Sequence, residues 1–235
     1  MIDPIPLVII FGIILTVVHY FSESIGAHFK KYRVKLVSFS AGVSIAYFFL
    51  MLMPEIYGGI ESLDKFIFVY ILIGFILFHL IEKYLYQHEE KERLIEELKE
   101  AHSLVFFVYH FVVGMVLVNI TLRNITEGIL LFIPLLFHLS ITNVSLREIH
   151  HSLIERKFAR FFLCLSTILG ILFASFIQIS AMLYFTLFAF IGGAILYIVV
   201  REEIPEEKRG KPGYFILGTF LYTLLIILLW LLEGI

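Results

Sequence analysis

The sequence has few of the residues that soluble proteins use for cross-links and for their surfaces. It contains one cysteine, Cys164, so no intrachain disulfide can form and a metal site made of several thiolates is not expected. Charged residues make up only 16% of the chain, and the formal net charge of −2 offers no basic surface for nucleic acid. No cleavable signal peptide is expected, because the first apolar run lacks a basic leader and a small-residue cleavage site.

Long apolar runs take the place of these residues. Hydrophobic residues make up 60% of the chain, against roughly 45–50% in a soluble domain. Because a membrane-spanning helix needs about 20 predominantly apolar residues, we predict an all-α polytopic membrane protein with eight transmembrane helices in a single domain, 1–235. The predicted spans are about 5–28, 34–53, 66–86, 102–124, 126–148, 158–178, 181–200 and 213–233.

The basic residues predict the orientation of these spans. Sixteen of the 18 Lys and Arg residues fall in the first, third, fifth and seventh connections, and only Lys65 and Arg123 fall elsewhere. Since positive residues concentrate in cytoplasmic loops, both termini are expected outside. The segment 88–101 has charged residues four apart and apolar residues on another face, a pattern that predicts a short amphipathic cytoplasmic helix.

Polar side chains within the spans are the candidates for function, because burying them in hydrocarbon is costly. Four spans each carry one histidine deep inside the apolar run, namely His19, His79, His110 and His138. At a rise of about 1.5 Å per residue, all four lie roughly 10–15 Å from the cytoplasmic ends of their helices. Neutral imidazole binds divalent transition metals and also titrates near neutral pH, so the layer indicates a metal site or a proton relay. The alternative is a set of separate histidines, each hydrogen-bonded across helices.

Proline and small residues predict special helix geometry. Pro134 lies four residues before His138 and has no N–H, so the carbonyl of Leu130 loses its helical partner. Small side chains let helix backbones approach closely in lipid, so clusters of them predict close crossings in spans two, six and seven. These residues are Ser38, Ala41, Gly42, Ser44, Ala46, Gly170, Ala174, Gly192, Gly193 and Ala194.

Two features resemble the ZIP (Zrt/Irt-like) family of divalent-metal transporters. The first is the predicted topology of eight spans, with both termini outside and a charged segment between spans three and four. The second is the sequence SFSAGVSIAYFFLMLMPE in span two, which is similar to that family's glycine-bearing second helix with its Leu-Pro-Glu ending. The resemblance implies a ZIP-like helix bundle.

The family's metal site lies in spans four and five, with the patterns H-N-x-x-[DE]-G and H-E-x-x-H. When Gly114 is matched to the glycine, Tyr109 stands at the histidine position, His110 at the asparagine and Val113 at the acidic residue. In this register span four keeps a metal-binding side chain but loses the carboxylate of the pattern.

Span five departs from the pattern as well. His138 matches the first histidine, but Leu139 replaces the glutamate and Thr142 the second histidine. Carboxylates normally offset the desolvation of a doubly charged ion, so without them the family's two-metal site is not expected. At most one ion is expected instead, held by His110 and His138 with Tyr109 or Asn143 completing its shell and Glu23 balancing its charge. The implied metal-site residues are His110, His138, Tyr109, Asn143, Thr142, Glu23 and His19.

The predicted function is a ZIP-like transporter of a divalent transition metal of the Zn, Fe or Mn class, working by alternating access at a midplane site between spans four and five. Two alternatives stay open: a ZIP-fold protein that has lost its metal site and acts as a non-transporting partner, and a proton-linked carrier of a small organic substrate. We expect a multi-pass plasma-membrane protein that is not an enzyme and has no prosthetic group. Its expected partners are the lipid bilayer and the metal ion, with a homodimer left open and nucleic acid excluded.

Overall fold

The computed structural model describes residues 3–28, 30–87, 92–145, 157–203 and 210–233, and every regular element in these ranges is helical. The all-α prediction is therefore confirmed for the described part of the chain. The α-helices are α1 (Ile5–His28), α2 (Arg33–Tyr47), α3 (Met53–Gly58), α4 (Ile60–Leu63), α5 (Phe66–Gln87), α6 (Glu92–Arg123), α7 (Ile125–Ser145), α8 (Lys157–Phe176), α9 (Ala181–Ile198) and α10 (Pro212–Glu233).

The apolar character of these helices makes this a membrane-embedded protein. Within the described residues, five segments are long and apolar enough to cross a bilayer: Ile5–Ser22, Arg33–Gly58, Ser103–Arg123, Ala181–Arg201 and Pro212–Leu232. Three shorter apolar helices lie on the remaining predicted spans, at Phe66–Ile81, Ile125–Ser140 and Phe161–Phe176.

Helix ends follow local side-chain chemistry. A single residue, Asn124, separates α6 from α7, and its Oδ1 accepts a hydrogen bond from the Thr126 N–H at 2.8 Å. This satisfies one of the N–H groups that a helix start leaves unpaired. Ser180 begins α9 in the same way, its hydroxyl oxygen accepting from the Leu183 N–H at 3.3 Å.

The predicted amphipathic segment 88–101 is continuous with the fourth predicted span over most of its length. Helix α6 runs without interruption from Glu92 to Arg123, so residues 92–101 extend the same helix that carries His110. Residues 88–91 lie outside the described part of the chain. The charged residues therefore lengthen α6 beyond its apolar part.

The long helices form two groups. In the first group, α6 packs against α7 and α8, and α1 packs against α7 and α8. In the second group, α2 packs against α10, and α5 packs against α9. The two groups meet mainly where α2 contacts α7 and where α6 contacts α9. Any side chain at these contacts lies between the groups and is surrounded by both.

Paired glycines lie at three close helix crossings in the described part of the chain. In each pair, a glycine of one helix faces the backbone of the other, and a Cβ added to either would lie 1.9–2.2 Å from a carbonyl oxygen across the crossing. Only glycine allows that approach. The close crossings predicted at Gly42, Gly170 and Gly193 are therefore confirmed. The pairs are Gly42 with Gly218 (α2–α10), Gly74 with Gly193 (α5–α9) and Gly114 with Gly170 (α6–α8).

The carbonyl released by Pro134 has a partner from another helix. The buried hydroxyl of Tyr222 on α10 donates a hydrogen bond to the carbonyl oxygen of Leu130. An unpaired buried carbonyl would cost about 1–3 kcal/mol. The hydroxyl thus supplies the donor that the proline lacks, and it ties α10 to α7.

Candidate functional site

Two of the predicted histidines are in contact inside the first helix group. The ring centroids of His19 on α1 and His110 on α6 lie 5.1 Å apart, with the rings tilted by 42°. Both side chains are buried, as is His138 on α7, which lines a small cavity together with Tyr109, the residue before His110. Three of the four predicted histidines therefore gather between α1, α6 and α7.

The orientation of His110 suits a ligand. Its Nδ1 lies 2.8 Å from the carbonyl oxygen of Phe106, and because a carbonyl only accepts, Nδ1 must carry the hydrogen. In the neutral imidazole this leaves a lone pair on Nε2, a buried atom with no hydrogen-bond partner among the described residues. Metal-binding histidines are usually held in this way, with one ring nitrogen donating to a backbone carbonyl and the other facing the metal.

A small cavity lies next to this cluster, where the two helix groups meet. About 20 Å³ is open to the centre of a water-sized molecule, which is room for about one water or one ion. Its polar lining comes from Ser44 and Tyr47 on α2, Tyr109 on α6 and His138 on α7. The ring of Tyr109 is 5.0 Å from that of His110, so the cavity and the histidine pair adjoin.

Tyr47 is a polar group of this cavity that the sequence analysis did not single out. Its side chain is 2% exposed, and its hydroxyl has no hydrogen-bond partner among the described residues. A buried unpaired hydroxyl is costly, so a water or an oxygen-bearing ligand in the cavity would be stabilised there. The sequence feature that could have identified Tyr47 is its spacing, because Ser44 and Tyr47 are three residues apart and therefore lie on one helix face.

Two π-helical segments begin at the wall of the cavity. Phe48–Leu52 follows Tyr47 directly, and Val199–Glu203 begins at Val199, another lining residue. Each segment belongs to a helix of the second group. Single-turn π-helices are costly interruptions of α-helices and are frequent at functional sites.

The other predicted residues are distributed differently. The side chains of Glu23, Thr142 and Asn143 lie outside the described part of the chain. His79 does not join the other three histidines: it is exposed on α5, with its ring 5.7 Å from that of Tyr197 on α9. His79, which is part of the predicted histidine layer but not of the implied metal-site residues, thus lies apart from the other three, because depth along a helix does not determine which face a side chain occupies.

The described residues include no group of three or more His, Cys, Asp or Glu side chains arranged to hold a metal ion together. The contact between His19 and His110 provides two imidazoles, and His138 faces the adjoining cavity. Joint coordination by the three histidines would thus require their side chains or their helices to move closer together.

An ion pair joins the two helix groups at the other end of α6. Arg123, the last residue of α6, contacts both carboxylate oxygens of Glu55 on α3, and its Nη2 is 3.3 Å from Oε2. The Tyr184 hydroxyl on α9 donates to Glu55 Oε1 at 3.3 Å, and the Arg123 guanidinium lies 5.3 Å from the Tyr184 ring centroid. These contacts hold α6 against the second group.

Comparison with known proteins gives one distant relative. No family model matches the chain. The sequence is 27% identical over 220 residues to the uncharacterized protein MJ1036 of Methanocaldococcus jannaschii, and the match covers 88% of this chain and 84% of that protein. The similarity therefore extends over most of both sequences.

Proposed function

We propose that the protein is a multi-pass plasma-membrane transporter of a divalent transition metal, similar to the ZIP transporters, with its cargo bound near the membrane midplane between α6 and α7. The observation that carries the proposal is the buried His110, whose Nδ1–H is held by a carbonyl while Nε2 is kept as an acceptor beside His19. Neutral imidazole is a good ligand for Zn²⁺, Fe²⁺ and neighbouring divalent metals.

The side chains that could coordinate the metal ion favour transient binding of that ion. The described part of the site offers imidazoles and hydroxyls but no carboxylate, so little of the ion's desolvation cost is offset by opposite charge. Weak coordination is a disadvantage for a permanent cofactor but suits a cargo, which must leave as readily as it enters. Glu23, one helical turn from His19 in the sequence, is the carboxylate that we propose approaches the ion during transport.

The two helix groups provide a route for alternating access. The cavity lies between them, and the Glu55–Arg123 pair closes the interface at one end. We propose that the groups separate alternately at the two ends, with the cargo bound at the level of His110 and His138. The π-helical turns beside the cavity supply backbone segments that can readjust during this motion.

The proposed topology has eight transmembrane helices with both termini outside. The proximity of basic residues from different connections supports it. The Lys35 amine is 5.2 Å from the Tyr214 ring centroid, and Lys83 and Arg201 line a single pocket. Arg123, from an even-numbered connection, is instead paired with an acidic side chain. Grouping of basic residues on one side agrees with the positive-inside rule.

Metal uptake into vesicles tests the proposal. We would reconstitute the full-length protein and measure the flux of Zn²⁺, Fe²⁺ and Mn²⁺. The double variant His110→Ala plus His138→Ala is expected to reduce the flux at least tenfold, whereas the control His79→Ala should change it less than twofold. Flux in the double variant equal to that of the unchanged protein would contradict the proposed site, and absence of metal flux in the unchanged protein would contradict transport.

A second candidate is a ZIP-like protein that binds a partner without transporting metal. The observation that favours it is the lack of a metal-holding group of three or more ligand side chains in the described residues. Thermal unfolding with and without micromolar Zn²⁺ separates the two. A rise in Tm that disappears in the double histidine variant supports the transporter, and an unchanged Tm together with no flux supports the non-transporting protein.

A further inference from the structure

A second and larger pocket lies between α5 and α9, away from the histidine cluster. Its volume of about 360 Å³ is within the range of about 300–1,000 Å³ that is typical of ligand sites. Helix α5 contributes His79, Lys83 and Gln87, which follow one another at intervals of four residues. Helix α9 and the π-helical turn after it contribute Tyr197 and Arg201, again four residues apart. Two polar helix faces thus line one space.

The polar groups of this pocket are donors, and two are permanent cations. Lys83 and Arg201 carry positive charge, the Gln87 amide and the Tyr197 hydroxyl can donate, and the imidazole of His79 has at least one N–H in either protonation state. No Asp or Glu is among the described residues that line the pocket. Such a set favours an anion with several acceptor oxygens, and phosphate matches both an arginine fork and a lysine point charge.

The pocket changes from apolar to polar along the axis of α5. Phe75 lies about 18 Å along α5 from Gln87, counted at about 1.5 Å per residue. At the Phe75 end the ring of Tyr197 is 5.3 Å from that of Phe75, which makes an aromatic wall deep in the apolar part of the helix pair. At the other end Lys83, Gln87 and Arg201 are exposed. A ligand that fills the pocket therefore needs an anionic head and an apolar body.

From this arrangement we infer that the α5–α9 pocket binds the phosphate headgroup of an anionic membrane lipid, with Lys83 and Arg201 contacting the phosphate and the acyl chains lying along Phe75 and Val200. Basic pockets between transmembrane helices bind anionic headgroups where the membrane surface is negative. The gradient from apolar to cationic favours a lipid over a soluble phosphate compound, which has no apolar part. This inference is independent of the proposed metal transport.

Native mass spectrometry of the purified full-length protein tests the inference. The protein would be incubated with equimolar phosphatidylglycerol and phosphatidylcholine, and the retained lipids counted. Phosphatidylglycerol is expected to be retained at least about tenfold more strongly than phosphatidylcholine. Both lipids carry a phosphate, but phosphatidylcholine also brings a quaternary ammonium cation beside Lys83 and Arg201, and like charges repel each other there. The double variant Lys83→Gln plus Arg201→Gln should lose that preference, and Lys83→Arg should keep most of it.

Matched controls distinguish this site from general attraction of anionic lipid. Lys65→Gln removes the same charge from an exposed lysine outside the pocket and should leave the preference unchanged. An equal loss in Lys65→Gln and in the double variant, or equal retention of the two lipids, would overturn the inference. Competition by glycerol 3-phosphate at the same concentration as the lipid would also overturn it, because the ligand would then be a soluble phosphate compound.

Discussion

The two polar regions among these helices contain histidine at similar depth but have opposite chemistry. In the interior, His19, His110 and His138 are 3–6% exposed, and the adjoining cavity has room for about one water-sized molecule. In the α5–α9 pocket, His79 is exposed beside two cationic side chains, and the space is about 360 Å³. The interior offers the Nε2 lone pair of His110 to a cation, whereas the pocket offers hydrogen-bond donors to an anion.

The difference shows that the helix face, more than the depth, decides what a membrane histidine can do. His110 lies on the face of α6 that packs against α1, so it is surrounded by protein and adjoins another imidazole. His79 lies on the face of α5 that borders the edge of the contact with α9, where lysine and arginine can also reach. Histidine is suited to either region because its ring nitrogens both donate and accept.

The largest loss of stability is expected from Gly→Ala changes at the two helix crossings that support these regions. Gly114→Ala should disrupt the α6–α8 crossing behind the histidine site, and Gly193→Ala the α5–α9 crossing beside the pocket. The added Cβ would lie 2.2 or 1.9 Å from a carbonyl oxygen, so the helices must separate. Each change is expected to lower the free energy of unfolding by about 2–3 kcal/mol, measured by thermal unfolding in detergent.

Gly213→Ala is the matched control for these two changes, because a Cβ there meets nothing within 4 Å. It should leave the Tm unchanged. If Gly114→Ala unfolded at the same temperature as Gly213→Ala, the close α6–α8 crossing would be refuted.

The next largest effect concerns metal binding itself. His110→Ala removes an oriented imidazole and should weaken Zn²⁺ binding at least about tenfold, whereas His79→Ala, in the donor-rich pocket, should change it less than twofold. Titration calorimetry on the detergent-purified protein measures both affinities. Equal weakening in the two variants would mean that the interior and the pocket are not distinct as cation sites.

A smaller effect is expected where the interior is tied to α10. Tyr222→Phe removes the donor to the Leu130 carbonyl and should destabilise the protein by about 1 kcal/mol, since hydrogen bonds between membrane helices are worth about 0.6–2 kcal/mol. The control Tyr57→Phe alters a hydroxyl on a half-exposed ring and should have no effect on Tm. Lipid retention by the α5–α9 pocket should be the same in both variants.

The smallest effect is expected at the ion pair between the helix groups. Glu55→Gln should lower the free energy of unfolding by only about 0.2–1 kcal/mol, because the Arg123 side chain is 48% exposed and water screens the pair. A changed rate of metal uptake in Glu55→Gln, with Tm nearly unchanged, would support the proposal that the two helix groups move relative to each other. A loss of several kcal/mol would contradict the screened environment.

Much of the fold could be predicted from the sequence, because the bilayer imposes simple requirements. Apolar runs of sufficient length must be helical, since backbone groups in hydrocarbon have to be paired within the segment. The long described helices overlap the predicted apolar runs, with α6 beginning ahead of its run at Glu92, and α6 and α7 are separated only by Asn124. Gly42, Gly170 and Gly193 were likewise recognisable, because small residues in a membrane helix have few other roles.

The candidate site was only partly predictable. Sequence spacing identified His19, His110 and His138 and gave their depth, but it placed His79 with them as well. The hydroxyls of Tyr47 and Tyr222 were not identified, because a tyrosine in an apolar run gives no sign of where its oxygen points. The Glu55–Arg123 pair joins residues 68 apart in the chain, a contact that no local pattern encodes.

The sequence by itself determined that this chain is a bundle of apolar helices, because hydrocarbon excludes unpaired backbone groups and charged residues whatever the helices' arrangement. It also determined that the carbonyl of Leu130 has no partner within its helix, because Pro134 has no N–H. Only the tertiary structure decided which helices cross, which histidine contacts which, and that Tyr222 donates to Leu130. These depend on the rotation of each helix about its own axis, which is set by packing against neighbours distant in the chain.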